Sequence, residues 1–83
     1  MELQEIQKII FDYVRDTFEI GDDPDYTMDV NLFDYGFVDS VGATDIILFV
    51  EERFGVEITQ KDIVKYPMNS VEEIAAVIAE KLG

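Results

Sequence analysis

The stretch Asp34-Tyr35-Gly36-Phe37-Val38-Asp39-Ser40-Val41-Gly42 runs straight into an apolar segment ending at Phe54, and its reading decides the fold. Asp39 and Ser40 both suit a helix N-cap, where a short side-chain oxygen accepts from a backbone N–H of the first turn. The apolar residues that follow recur at helical rather than alternating spacing, and Gly55 suits a C-terminal cap. The spacing therefore predicts a helix from about Ser40 to Phe54.

This helix has two faces. At about 100° per residue, Ala43, Ile46, Ile47, Val50 and Phe54 fall within about a 100° arc, the width of a stripe facing a core. Val41, Thr44, Asp45, Leu48 and Glu52 fall on the far side, with Glu51 at its margin and Phe49 between the faces. Single surface valines and leucines are ordinary in any protein. Beside Ser40, however, two of them among carboxylates suit an interface with a small apolar centre and an acidic rim.

Upstream, Leu3, Ile6, Ile10, Tyr13, Val14 and Phe18 recur at helical spacing against Glu5, Lys8, Asp12 and Arg15, which predicts a first helix over Leu3 to Phe18. Gly21-Asp-Asp-Pro-Asp-Tyr-Thr then breaks the pattern with helix-stopping and turn-favouring residues. A connection of about twenty residues follows, long for a compact domain, so Met28, Val30, Leu32, Phe33 and Phe37 are expected to tie it to the core. Downstream, Thr59 caps a helix of one or two turns ending near Lys65, closed by Tyr66-Pro67. Ser70 and Glu73 form the pattern of a capping box before a last helix with Val71, Ile74, Ala75, Ile78 and Leu82 on one face. The expected fold is all-α: one domain over residues 1–83, a small four-helix bundle with three longer helices, one short one, and a long loop between the first two.

Six basic residues against nineteen acidic ones give a net charge of −13, yet nearly half the residues are hydrophobic, so the chain folds rather than remaining an acidic coil. Such a surface disfavours nucleic acid and anionic lipid and attracts proteins with basic patches. With neither Cys nor His, disulfides, thiolate nucleophiles, Ser-His pairs and zinc sites built on those residues are removed together. Asp22, Asp23, Asp25 and Asp29 offer oxygen ligands, but an EF-hand begun at Asp23 would place Met28 where Gly is needed and Asp34 where the bidentate Glu belongs. No metal site is expected. There is no basic-then-apolar opening segment and no apolar run long enough to span a bilayer, so the expectation is a cytoplasmic protein without stable membrane insertion, most simply a monomer. Ser40 at a helix start, with no histidine to activate it, is suited to being modified rather than to catalysing, and a phosphate there would meet backbone amides and the helix dipole.

The run Leu32-Phe33-Asp34-Tyr35-Gly36-Phe37-Val38-Asp39-Ser40-Val41 resembles the attachment motif of acyl and peptidyl carrier proteins: an apolar pair, a Gly, an apolar pair, then Asp-Ser at the start of the second helix. Glu51-Glu-Arg-Phe-Gly-Val-Glu-Ile58 resembles that family's helix end and following loop, and the helix order covers nearly the whole chain. The resemblance implies a carrier, not an enzyme. Ser40, with Asp39 beside it, would hold 4′-phosphopantetheine, transferred from coenzyme A by a magnesium-dependent phosphopantetheinyl transferase. The arm's thiol would supply the sulfur the sequence lacks and carry an acyl or aminoacyl group as a thioester. Asp39, Val41, Asp45, Leu48, Glu51 and Glu52 would be read by the transferase, by an acyl or aminoacyl ligase, and by later enzymes through basic docking patches. Fatty-acid, polyketide, nonribosomal-peptide and related pathways are all open. Asp39-Ser40-Val41-Gly42 is as similar to the Asp-Ser-Met-Gly of the D-alanyl carrier branch as to the fatty-acid branch. The alternative is an acidic helical interaction module of the same fold that is never pantetheinylated.

Overall fold

A computed structural model describes all 83 residues. Four helices form: α1 over Leu3–Thr17, α2 over Ser40–Phe54, α3 over Gln60–Lys65 and α4 over Val71–Leu82. No strand is present, and the all-α bundle expected from the periodicities is the fold observed.

The helix ends follow from local chemistry. Asp39 caps α2 and Gly55 ends it in the left-handed region (φ 66°), which costs a residue without a Cβ little. A reciprocal capping box starts α3: Asp62 N–H donates to Thr59 Oγ1 at 3.3 Å while Thr59 N–H donates to Asp62 Oδ2 at 2.9 Å. At α4 only the serine half of the expected box forms, with Glu73 N–H donating to Ser70 Oγ at 3.2 Å.

Ile6, Ile10 and Val14 of α1 and Val71, Ile74, Ala75, Val77 and Ile78 of α4 meet in the centre, joined by Ile46, Val50 and Phe54 of α2. The long connection is part of this core. Tyr26, Val30, Leu32 and Val38 are buried in it, and Met28, Phe33 and Phe37 pack against it half-buried. Tyr26 stacks on Phe11 and donates its hydroxyl to Phe11 O at 2.7 Å, and burial pushes its phenol pKa up. Two backbone bonds pin the loop to the start of α4, Leu32 N–H to Asn69 O at 2.8 Å and Glu72 N–H to Met28 O at 3.0 Å. The 22 residues between α1 and α2 are therefore held by their own apolar side chains and by backbone pairing, as their composition requires.

The short helix α3 is anchored differently. None of its residues is buried. It is joined to α4 by two ion pairs, Asp62–Lys81 and Lys65–Glu80, each at 2.7 Å. The Lys81 ammonium, hydrogen-bonded to Asp62, and the Thr59 N–H hold that carboxyl at about 2, below its ordinary 3.8. Hydrogen bonding to each other lowers the Glu80 pKa and raises that of Lys65.

Candidate functional site at the start of helix α2

The motif loop closes as a tight turn. Asn31 Oδ1 accepts from both Phe33 and Asp34 N–H at 3.0 Å, and Leu32 O accepts from Phe37 and Val38 N–H at 2.9 and 3.1 Å. The turn delivers Asp39 in extended conformation to the head of α2, where its Oδ1 accepts from Gly42 N–H at 2.8 Å. Sequence makes Asp39 and Ser40 equally good caps, and the fold assigns that role to Asp39. Ser40 is thereby left as the first helical residue with an exposed side chain. The chain's other serine, Ser70, is buried and engaged in capping α4, so Ser40 is the one exposed serine.

The two faces expected of α2 are present, with one shift. Ile46, Val50 and Phe54 are buried, but Ala43 and Ile47 are only half-buried. They line an apolar pocket of about 170 Å³ together with Ile46, Phe33 and, from the α3 side, Ile63 and Met68. The pocket exists because α3 reaches the rest of the molecule through ion pairs and one half-buried isoleucine rather than through a packed stripe. Ser40, Ala43 and Ile47 share one side of α2 by their three- and four-residue spacing, so the pocket lies along the row that starts at the serine.

On the outer face Val41 is 72% and Leu48 54% exposed. Asp45 and Glu52 are exposed beside them. Every ion pair in the molecule lies within α1 or between α3 and α4, so none neutralises these acids of α2. Glu51 differs from its neighbours: it is half-buried, and its Oε2 accepts from Ile58 N–H at 3.0 Å, fastening the α2–α3 connection. Phe49 turns away from this face and stacks on Tyr13 with ring centroids 3.7 Å apart. Of the tyrosines, Tyr26 packs inside whereas Tyr35 is exposed and stacks on Phe37 near the motif turn.

Spacing arguments miss Gly42. It reads as a tolerated first-turn glycine, yet it is buried against Phe18 from the end of α1 and Val38 from the motif loop. The signal was present only as a glycine inside a helix, where alanine is normally better.

Residues 8–78 match the family model described as "Phosphopantetheine attachment site". The chain belongs to this family of phosphopantetheine carriers. Among curated relatives of the carrier, D-alanyl carrier protein 1 of Lactiplantibacillus plantarum is 31% identical over 58 residues, covering 70% of this chain and 72% of that one. D-alanyl carrier protein 2 of the same organism is 25% identical over 79 residues, covering 95% and 96% respectively. The D-alanyl carrier protein of Streptococcus suis is 25% identical over 76 residues, covering 92% and 94%. No solved structure matches. These relatives support the D-alanyl branch and lend nothing to fatty-acid synthesis, which the motif alone left equally open.

Family membership implies covalently bound 4′-phosphopantetheine as the cofactor. The residues at the head of α2 fit it. An exposed serine oxygen at the first helical position, with the cap supplied by its neighbour, can accept a phosphate that the positive end of the helix favours. No helix of the carrier is long and apolar enough to cross a membrane.

Proposed function

We propose that Ser40 is the attachment residue and that the carrier bears a small aminoacyl group of the D-alanyl type. The observation that supports this most directly is that Asp39 takes the cap and leaves the Ser40 hydroxyl exposed. In the transfer the Ser40 oxygen forms a bond to the phosphopantetheine phosphorus of coenzyme A, the bond to adenosine 3′,5′-bisphosphate breaks, and the serine proton passes to a base of the transferase. This chain has no histidine to serve as that base. Once attached, the arm supplies a thiol on which cargo is held as a thioester.

The outer face of α2 is the surface that partner enzymes read: Val41 and Leu48 as apolar centre, Asp39, Asp45 and Glu52 as unneutralised rim. A transferase and an aminoacyl ligase with basic patches complement it, the rim steering encounter and the apolar centre holding the complex. The pocket supports a small cargo: about 170 Å³ lies below the range of ordinary ligand cavities.

Intact mass measurement with coenzyme A and a broad-specificity phosphopantetheinyl transferase tests the reading. The wild type gains one phosphopantetheine group and Ser40→Ala gains none. A wild type that gains nothing favours the unmodified interaction module. Supplying the holo form with ATP and either a D-alanine ligase and D-alanine or a fatty-acyl ligase and a long-chain acid tests the cargo: D-alanyl loading is expected, and loading by the long acyl chain alone overturns it.

A further inference from the structure

We propose that Gly42 is a positioning residue for transfer onto Ser40: the notch it leaves in α2 seats the edge of the Phe18 ring, so that the first turn is clamped from two sides. The proposal rests on Ser40 as the attachment site. From one side Asp39 holds the Gly42 N–H at 2.8 Å. From the other, the space where a Cβ would stand at Gly42 is closed: such an atom would lie 2.6 Å from Phe18 Cε1, 3.0 Å from Phe18 Cζ and 3.0 Å from Val38 Cγ1. Carbon atoms rest at about 3.5–4.0 Å, so a methyl group cannot enter without movement.

Of the two walls, Val38 is buried and Phe18 is half-buried on a fixed backbone. Val38 is 4% exposed, and its N–H is bonded to Leu32 O at 3.1 Å, which leaves it no room to retreat. Phe18 closes the end of α1, its N–H donating to Val14 O and the Ile20 N–H to Arg15 O, both at 3.0 Å. Between them Glu19 adopts φ 54°, a conformation uncommon for a residue with a side chain, so the backbone carrying the ring is fixed on both sides. Room for a methyl group comes either from a swing of the half-buried Phe18 ring about its side-chain torsions or from a lift of the first turn of α2, and Ser40 lies in that turn two residues before Gly42. Alanine in a helix is ordinarily better than glycine. Here it is expected to harm the site instead, through a displacement of the serine oxygen that the transferase must align.

Initial rates of coenzyme A-dependent mass gain at Ser40 are compared for wild type, Gly42→Ala, Phe18→Leu and the double variant. Leucine lacks the Cε1 and Cζ atoms that block the notch. Gly42→Ala is expected to lower kcat about tenfold, on the scale of a sub-ångström to ångström misplacement. KM is expected to rise less than kcat falls, because Asp45, Leu48 and Glu52 lie beyond the disturbed turn although Asp39 and Val41 lie in it, a split between the two constants that general destabilisation would not produce. Adding Phe18→Leu to Gly42→Ala restores most of kcat. Phe18→Leu alone speeds amide hydrogen exchange at Gly42 and Ala43 about fivefold and leaves the α4 amides unchanged. A wild-type kcat in Gly42→Ala, or a slow Gly42→Ala that Phe18→Leu does not rescue, overturns the proposal. If Gly42→Ala does not fold, folding of the double variant supports the notch and its failure to fold overturns it. Should the wild type gain no mass, the attachment reading fails first, and the notch is then decided by exchange in Phe18→Leu, where unchanged rates at Gly42 and Ala43 overturn it.

Discussion

Ile46 and Leu48 stand two residues apart on one helix, and truncating each to alanine is expected to have opposite consequences. Ile46 is 3% exposed, so Ile46→Ala removes atoms from the interior and leaves a void. Such substitutions cost about 2–5 kcal/mol. The low end applies here, about 2–3 kcal/mol, because Ile46 also borders the pocket under α3, and the new void merges with space that α3 and water can adjust into. A domain of this size has roughly 4–12 kcal/mol in total. At about 4–8 °C per kcal/mol, the melting temperature should fall by about 10–20 °C. Leu48 is half exposed, so Leu48→Ala loses about half the burial of three carbons, about 1 kcal/mol, partly offset by the better helix propensity of alanine. Its effect should appear in recognition: as a central docking residue its loss costs more than about 1 kcal/mol of transition-state binding, at least about fivefold in kcat/KM of phosphopantetheine transfer. Thermal unfolding by circular dichroism and transfer rates by mass measurement read the two quantities separately. If Leu48→Ala lowers the melting temperature as much as Ile46→Ala does, or is modified at the wild-type rate, the assignment of the two faces is wrong.

Glu51→Lys leaves the Ile58 N–H without its acceptor and should cost about 1–3 kcal/mol and speed exchange of the Ile58 amide, whereas Glu51→Gln should do much less; equal effects in melting and exchange would refute the loop-fastening role. Asp62 is held at about 2 in the folded chain against an ordinary 3.8, so its contribution is fully present above about pH 4 and lost as pH falls toward 2. Amide exchange in α3 should therefore rise over that acid range before α4 opens, and Lys81→Met should bring the same loosening at neutral pH; α3 protection that follows α4 throughout would refute it. With a net charge of −13 the melting temperature should climb from low to moderate salt, and a flat profile would show that self-repulsion does not limit stability.

Periodicity and caps made the helices legible. The apolar spacing set α1 and α4, and Asp39-Ser40 with Gly55 bracketed α2 over the residues at which it begins and ends. The exposed row Val41, Asp45, Leu48 and Glu52 was legible for the same reason, because a helix turns by a nearly constant angle per residue. Glu51 and Gly42 were not legible in this way. Whether a marginal carboxylate meets solvent or a backbone amide seven residues later depends on the path of the following loop. Whether a helical glycine is tolerated or required depends on what another element places against it.

The sequence by itself determined the helical fold, the net charge of −13 and the absence of histidine and cysteine, since these depend on residue type and spacing alone. Only the tertiary structure decided that Asp39 rather than Ser40 caps α2, that Ala43 and Ile47 line a pocket instead of the core, and that Phe18 fills the notch at Gly42. Those outcomes depend on how elements distant in sequence approach one another, and packing at van der Waals distance is fixed by the whole fold rather than by any local pattern.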